Sequence, residues 1–185
     1  MMNDDLIILE GQIRECYGRV VYSHKTHEKC ADILINKHEN IKLWQIIVSA
    51  FVTGGIVSTF FDKGQISSII SVVLSTSLLI LNTYTKNYDL GELAQKHRQA
   101  GSDLWIIREE YLSLLTDIRI GDISIDKIRE KRDKLAKELQ SVYAGSPSTN
   151  YKAYLAAQKA LQELEDMTFS DSEVDAFLPK ELKRP

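Results

Sequence analysis

Between residues 43 and 84 this chain carries only two charges, Asp62 and Lys63, side by side at the middle. Elsewhere it is rich in charge, with 26% Asp, Glu, Lys and Arg overall. No other feature constrains the fold as much. Residues 43–61, LWQIIVSAFVTGGIVSTFF, give 19 positions without a charge, and residues 64–84, GQISSIISVVLSTSLLILNTY, give 21. As helices they reach about 28 and about 32 Å, against about 30 Å of bilayer hydrocarbon. Soluble helices average about 10–14 residues and seldom need an apolar surface all round. The lengths favour a hairpin crossing a membrane, with Asp62-Lys63 as its wet turn. The competing reading is the buried hairpin of a soluble helical protein.

Flanking charge orients such a hairpin. Lys29, Lys37 and Lys42 precede it, Lys86, Lys96 and Arg98 follow it, and the turn holds Lys63 alone. Positive residues favour the cytoplasmic side, so both termini are expected inside. Trp44 and Tyr84 fall at the inner ends, the usual depth for amphipathic aromatics. The spans also carry polar stripes. Gln45, Ser49 and Thr53 recur every fourth residue, as do Ser67, Ser71 and Ser75, with Asn82 seven further on. Ala50, Gly54 and Ser58 make a ridge of small residues. Small and hydroxylated residues let helices approach closely, so hairpin packing explains them. A polar stripe lining a pore in an oligomer explains them equally, since polar side chains avoid lipid.

The flanking segments read as helices. Leu6, Leu9, Ile13, Cys16, Val20, His24, His27, Leu34, His38 and Ile41 follow 3/4 spacing before the apolar block. After it, Leu90, Ala94, His97, Gly101, Leu104, Arg108, Tyr111, Leu115 and Ile118 form a heptad stripe on a helix expected over residues 85–120. Gly121 is a helix stop, and Ile125 to Val142 mark the next helix. GSPSTN, 145–150, breaks the chain before a helix expected over 151–167, and SDSE, 170–173, reads as a capping box. No strand pattern competes, and the class is all-α. Such a coiled-coil-like mass suits self-association.

The chemistry of catalysis is missing from the motifs. TGGIVS lies in an apolar span, not after a strand, so it is no phosphate loop. There is no G-x-S-x-G, H-E-x-x-H or paired-Cys zinc spacing. His24, His27 and Cys30 step by threes, which rotates them around a helix and leaves no fourth ligand. Cys16 and Cys30 on one helix stand about 21 Å apart, too far for a disulfide. No enzyme activity, cofactor or metal is expected, and a net charge of −3 gives no general affinity for nucleic acid.

One stretch, AQKHRQAGSDLWIIREEYLSLLTDI over 94–118, resembles the helix that follows the membrane spans in the SLATT domain family. His97, Arg98, Trp105, Arg108, Tyr111 and Asp117 look like gating or interface positions of that helix, and LPKELKR, 178–184, is similar to one of the family's tails. Read from the residues alone, the same side chains are ion pairs and core anchors between helices. The resemblance implies a SLATT-like domain over 1–145: a cytosolic helix (1–42), spans at 43–61 and 66–84 about an external turn (62–65), and cytosolic helices (85–145). A helical extension covers 146–185. It further implies a multi-pass effector of bacterial anti-phage defence in the inner membrane. Such an effector oligomerises and forms a pore, killing or arresting the host by abortive infection. Its sensor would be encoded separately, as a reverse transcriptase or a nucleotide-second-messenger synthase, and the long extension leans toward the first. The alternatives are a membrane-anchored scaffold for a cytosolic enzyme and a soluble helical adaptor.

Overall fold

The structure, a computed structural model, describes residues 4–59 and 65–183. Six α-helices follow one another: α1 (Asp4–Thr59), α2 (Gln65–Asn87), α3 (Leu90–Ile120), α4 (Ile125–Gly145), α5 (Tyr151–Gln162) and α6 (Asp171–Phe177). A 3-10 turn at Lys180–Leu182 ends the described chain, and no strand occurs among the described residues.

The N-terminal helix and the first apolar span are one element. α1 has 56 residues, and no proline interrupts it, so at 1.5 Å per residue it extends about 84 Å. The helix expected over 85–120 begins later than the pattern suggested. α2 runs on to Asn87, and α3 starts at Leu90 because the Asp89 carboxylate accepts the Glu92 amide at 2.8 Å and caps a new first turn. Gly121, at φ 82°, ends α3 in the left-handed conformation, its amide donating to the Asp117 and Ile118 carbonyls. Ser124 and Asn150 cap α4 and α5, and Ser170 with Glu173 forms the capping box expected before α6. α5 stops at Gln162 rather than near 167. The chain then turns through Glu165 and Met167, both with positive φ.

α1 packs along α2, α3 and α5, and α4 packs on α3. Facing pairs fix the direction. Gly55 lies against Ser71, Gln45 bonds Asn82, Gly91 lies near His38, and His27 bonds His97. Their numbers add to about 127, so α2 and α3 run in line, both antiparallel to α1, as one long hairpin centred on about residue 63. The Asp62-Lys63 turn itself, like the side chains of Ser58 and Ser67, lies outside the described residues.

The two ends of this hairpin differ in surface. At the end distant from residue 63, Ile13 and Val20 of α1 meet Leu104, Tyr111 and Leu114 of α3, and Ile128 and Leu135 of α4 close the core. Near residue 63 no core covers the outside, where Phe51, Ile66, Val72 and Ile80 are each more than half exposed. Among the described residues one helical stretch, beginning at Ser68, contains 18 successive residues apolar enough to cross a membrane, and none of those 18 is buried. The apolar part of α1 is described at side-chain level only to Ile56, short of a full span.

Candidate functional site

Seven of the residues singled out in the sequence gather at two places, Gln45, Ser49, Thr53 and Asn82 at one and Arg98, Trp105 and Arg108 at the other. On the α1–α2 pair, Gln45, Ser49, Thr53 and Asn82 line a groove of about 600 Å³ together with Lys42 and Leu78. Gln45 Nε2 donates to Asn82 Oδ1 at 3.0 Å and to Thr85 Oγ1 at 3.1 Å, tying the helices together. Thr53 Oγ1 donates to its own helix at the Ser49 carbonyl. The other polar positions are not part of this groove. Ser75 is exposed elsewhere on α2. Ser71 sits between the helices, where its buried Oγ finds no hydrogen-bond partner among the described residues. The close approach of α1 to α2 falls on Gly55, where an added Cβ would lie 2.6 Å from Ser71 Oγ. Gly54, the residue picked from the small-residue ridge, has nothing within 4 Å of that position.

The second place is a cleft of about 590 Å³ farther down the hairpin, between α1, α3 and the segment after α5. Arg98, Trp105 and Arg108 of α3 line it, as do His24, Lys25 and Glu28 of α1 and Asp166 and Met167 of the segment. Heptad spacing explains the α3 contribution, since positions 98, 101, 105 and 108 share one side of a helix. Lys25 is the hub. Its Nζ lies 3.0 Å from Glu28 and 3.2 Å from Asp166. Burial pushes its ammonium down, but the bonds to the two carboxylates outweigh this and the net shift is upward. Arg98 pairs with Asp32 at 3.0 Å. Arg108 reaches Glu109 and, at 3.7 Å, the Met167 sulfur. Lys25, Asp166 and Met167 carried no sequence signal, because no periodicity links a loop after α5 to α1.

The remaining positions singled out on α3 make contacts to neighbouring helices. His97 and His27 meet across α3 and α1, Nδ1 to Nδ1 at 3.0 Å, both buried. Burial, then the neighbouring His97 and His24, lowers the His27 pKa to about 4, and burial lowers that of His97. Tyr111 is in the core beside Cys16, and burial first, then Cys16, pushes its phenol up to about 12. Asp117 pairs with Lys131 of α4 at 2.8 Å. The His24–His27–Cys30 triplet disperses to three partners: Glu28, His97 and, at 3.7 Å, the Asn150 amide. Among the described residues no group of three or more His, Cys, Asp or Glu is placed to hold a metal. Cys16 and Cys30 are free thiols on one helix.

No curated protein and no solved structure matches the chain. A family profile does. It is described as SMODS and SLOG-associating 2TM effector domain family 4 and matches residues 9–173. The match runs from residue 9 of α1 through α2 and α3, takes in both gathering places and α5, and passes residue 145, where the sequence suggested a domain limit. The chain belongs to this family of two-transmembrane effector domains associated with conflict systems.

Proposed function

We propose that this chain is the membrane effector of a bacterial anti-phage system, which oligomerises and opens a pore in the inner membrane when a separate sensor signals infection. The groove of Gln45, Ser49, Thr53 and Asn82 carries the reading. Around it the hairpin is apolar and exposed. Polar side chains inside a bilayer turn toward a bundle or water, so copies meeting at this groove would move four polar side chains each out of lipid. The same ring would line a lumen with hydroxyls and amides. On this reading the protein acts without catalysis, cofactor or nucleic-acid contact of its own. Its sensor is a reverse transcriptase or a nucleotide-second-messenger synthase. A signal opens the ring only if it binds the open arrangement more tightly than the closed one.

Dye leakage from liposomes tests this. Ser49→Leu with Thr53→Leu should abolish leakage and leave the protein resistant to carbonate extraction. Unchanged leakage would remove the pore from the proposal. Ser71→Leu is a poorer probe, because Ser71 packs on Gly55 and the variant damages the pair itself. The Gln45–Asn82 bond supports a second reading, a hairpin that stays closed and anchors a scaffold for a cytosolic enzyme. Liposomes holding assembled wild-type protein without leakage select that reading, and release by carbonate selects a soluble adaptor.

A further inference from the structure

The cleft between α1, α3 and the segment after α5 has the chemistry of a binding site that its own chain partly fills. Three permanent cations face it, Lys25, Arg98 and Arg108, against two carboxylates, Glu28 and Asp166, while Asp32 and Glu109, outside its lining, pair with Arg98 and Arg108. The cations are neither deep nor free. The Lys25 and Arg108 side chains are 12% and 15% exposed, held at the wall with restricted motion. Arg108 spends one guanidinium N–H on the Met167 thioether, a weak acceptor where an anionic oxygen would serve far better. His24 on the same wall is 6% exposed, and its buried Nδ1 has no partner among the described residues. Trp105, about half exposed, offers an aromatic surface at the rim. The volume lies in the range of small-molecule pockets, roughly 300–1,000 Å³.

The segment carrying Asp166 is strained. Glu165 and Met167 take φ values of 51° and 72°, in the left-handed region that side chains disfavour. The Asp166–Lys25 pair and the Arg108–Met167 contact hold it down on the cleft. An anion with more oxygens than a carboxylate would replace both contacts and release that strain.

We propose that this cleft binds a small soluble ligand carrying phosphate and a planar ring, and that Asp166 occupies the phosphate position in the ligand-free protein. The phosphate bridges Lys25 and Arg108, the ring lies on Trp105, and the 163–169 segment lifts when it binds. A lipid headgroup does not fit this assignment. Glu28 lies 14 residues below Lys42 on α1, about 21 Å from the inner end of the apolar segment. That argument rests on the membrane reading of the hairpin; the binding test has no leakage readout, so failure of one is distinguishable from failure of the other.

The test uses the full-length detergent-solubilised Trp44→Phe protein, whose single remaining tryptophan is Trp105. ADP should change Trp105 emission saturably. Asp166→Asn removes the internal competitor and should tighten ADP binding by about tenfold, a gain that misfolding does not produce. Lys25→Met should weaken it by about tenfold or more. Absence of saturation at millimolar ADP, or an Asp166→Asn protein that binds no more tightly, overturns the proposal. Micelles doped with phosphatidylglycerol should leave the emission unchanged, and a response equal to that of ADP overturns the assignment to a soluble ligand.

Discussion

At the scale of the residue, the His27–His97 contact is the most exacting feature of the interface. Two neutral imidazoles share this hydrogen bond with one ring donating and the other accepting, and protonating both rings leaves no acceptor. His24 is also lowered, by burial and then by Arg108 and Lys25 against the opposing pull of Glu28. All three histidines therefore resist protonation in the fold and accept it readily once unfolded. Their contribution is complete above the unfolded pKa of about 6.5 and is lost as pH falls toward the folded value, about 4 for His27. The melting midpoint in detergent should drop between pH 7 and pH 4.5, with net proton uptake on unfolding. His27→Gln should flatten that dependence. A midpoint independent of pH over this range would contradict the neutral pair. The sequence placed His24, His27 and His97 on helix stripes, but not against each other, since facing register across two helices is a tertiary property.

At the scale of the element, the α1–α2 contact leaves no room for a side chain at Gly55. Substituting Gly54 by Ala meets open space and should stabilise the helix by roughly 0.5–1 kcal/mol. Gly55→Leu has to displace Ser71 and part α1 from α2, and overpacking of this kind costs about 1–3 kcal/mol. Opposite shifts in melting midpoint for the two neighbours would verify the register; equal shifts would refute it. Spacing alone favoured Gly54, because it falls on the Ala50 ridge. The helix rotation that aims Gly55 at α2 is set by packing along the whole of α1. In contrast, the attachment of α4 through Asp117 and Lys131 is a half-exposed pair. Asp117→Ala should cost less than about 1 kcal/mol, measured the same way, because the buried Ile128 and Leu135 hold α4 in place.

At the scale of the whole molecule, a helix of 56 residues couples the apolar end of the hairpin to the helical core below it. α1 is continuous from Leu9 in the core through Gln45 in the groove, so a tilt of its lower half is felt above. The cleft lies between these two, which puts the 163–169 segment where it can report on the hairpin's lower half. Under the proposed topology, a reporter active only in the cytoplasm and fused after Pro185 should remain active. A signal from outside would reverse the orientation inferred from the flanking lysines and arginines.

The sequence by itself determined the helical class, the apolar block, most helix ends and the family, because these rest on local properties. Caps such as Ser124 and Ser170, the stop at Gly121, and the 3/4 spacing of Leu104 and Tyr111 act within one or two turns. Tertiary structure alone decided what those stripes face. It joined the first helix to the first apolar segment, since nothing at residues 42–43 interrupts the backbone bonds. It split α2 from α3 at Asp89, where a side-chain cap competes successfully with one more turn of helix. It also brought Asp166 to Lys25 across 141 residues of chain, a contact that depends on where α5 packs against α1 and leaves no trace in any periodicity.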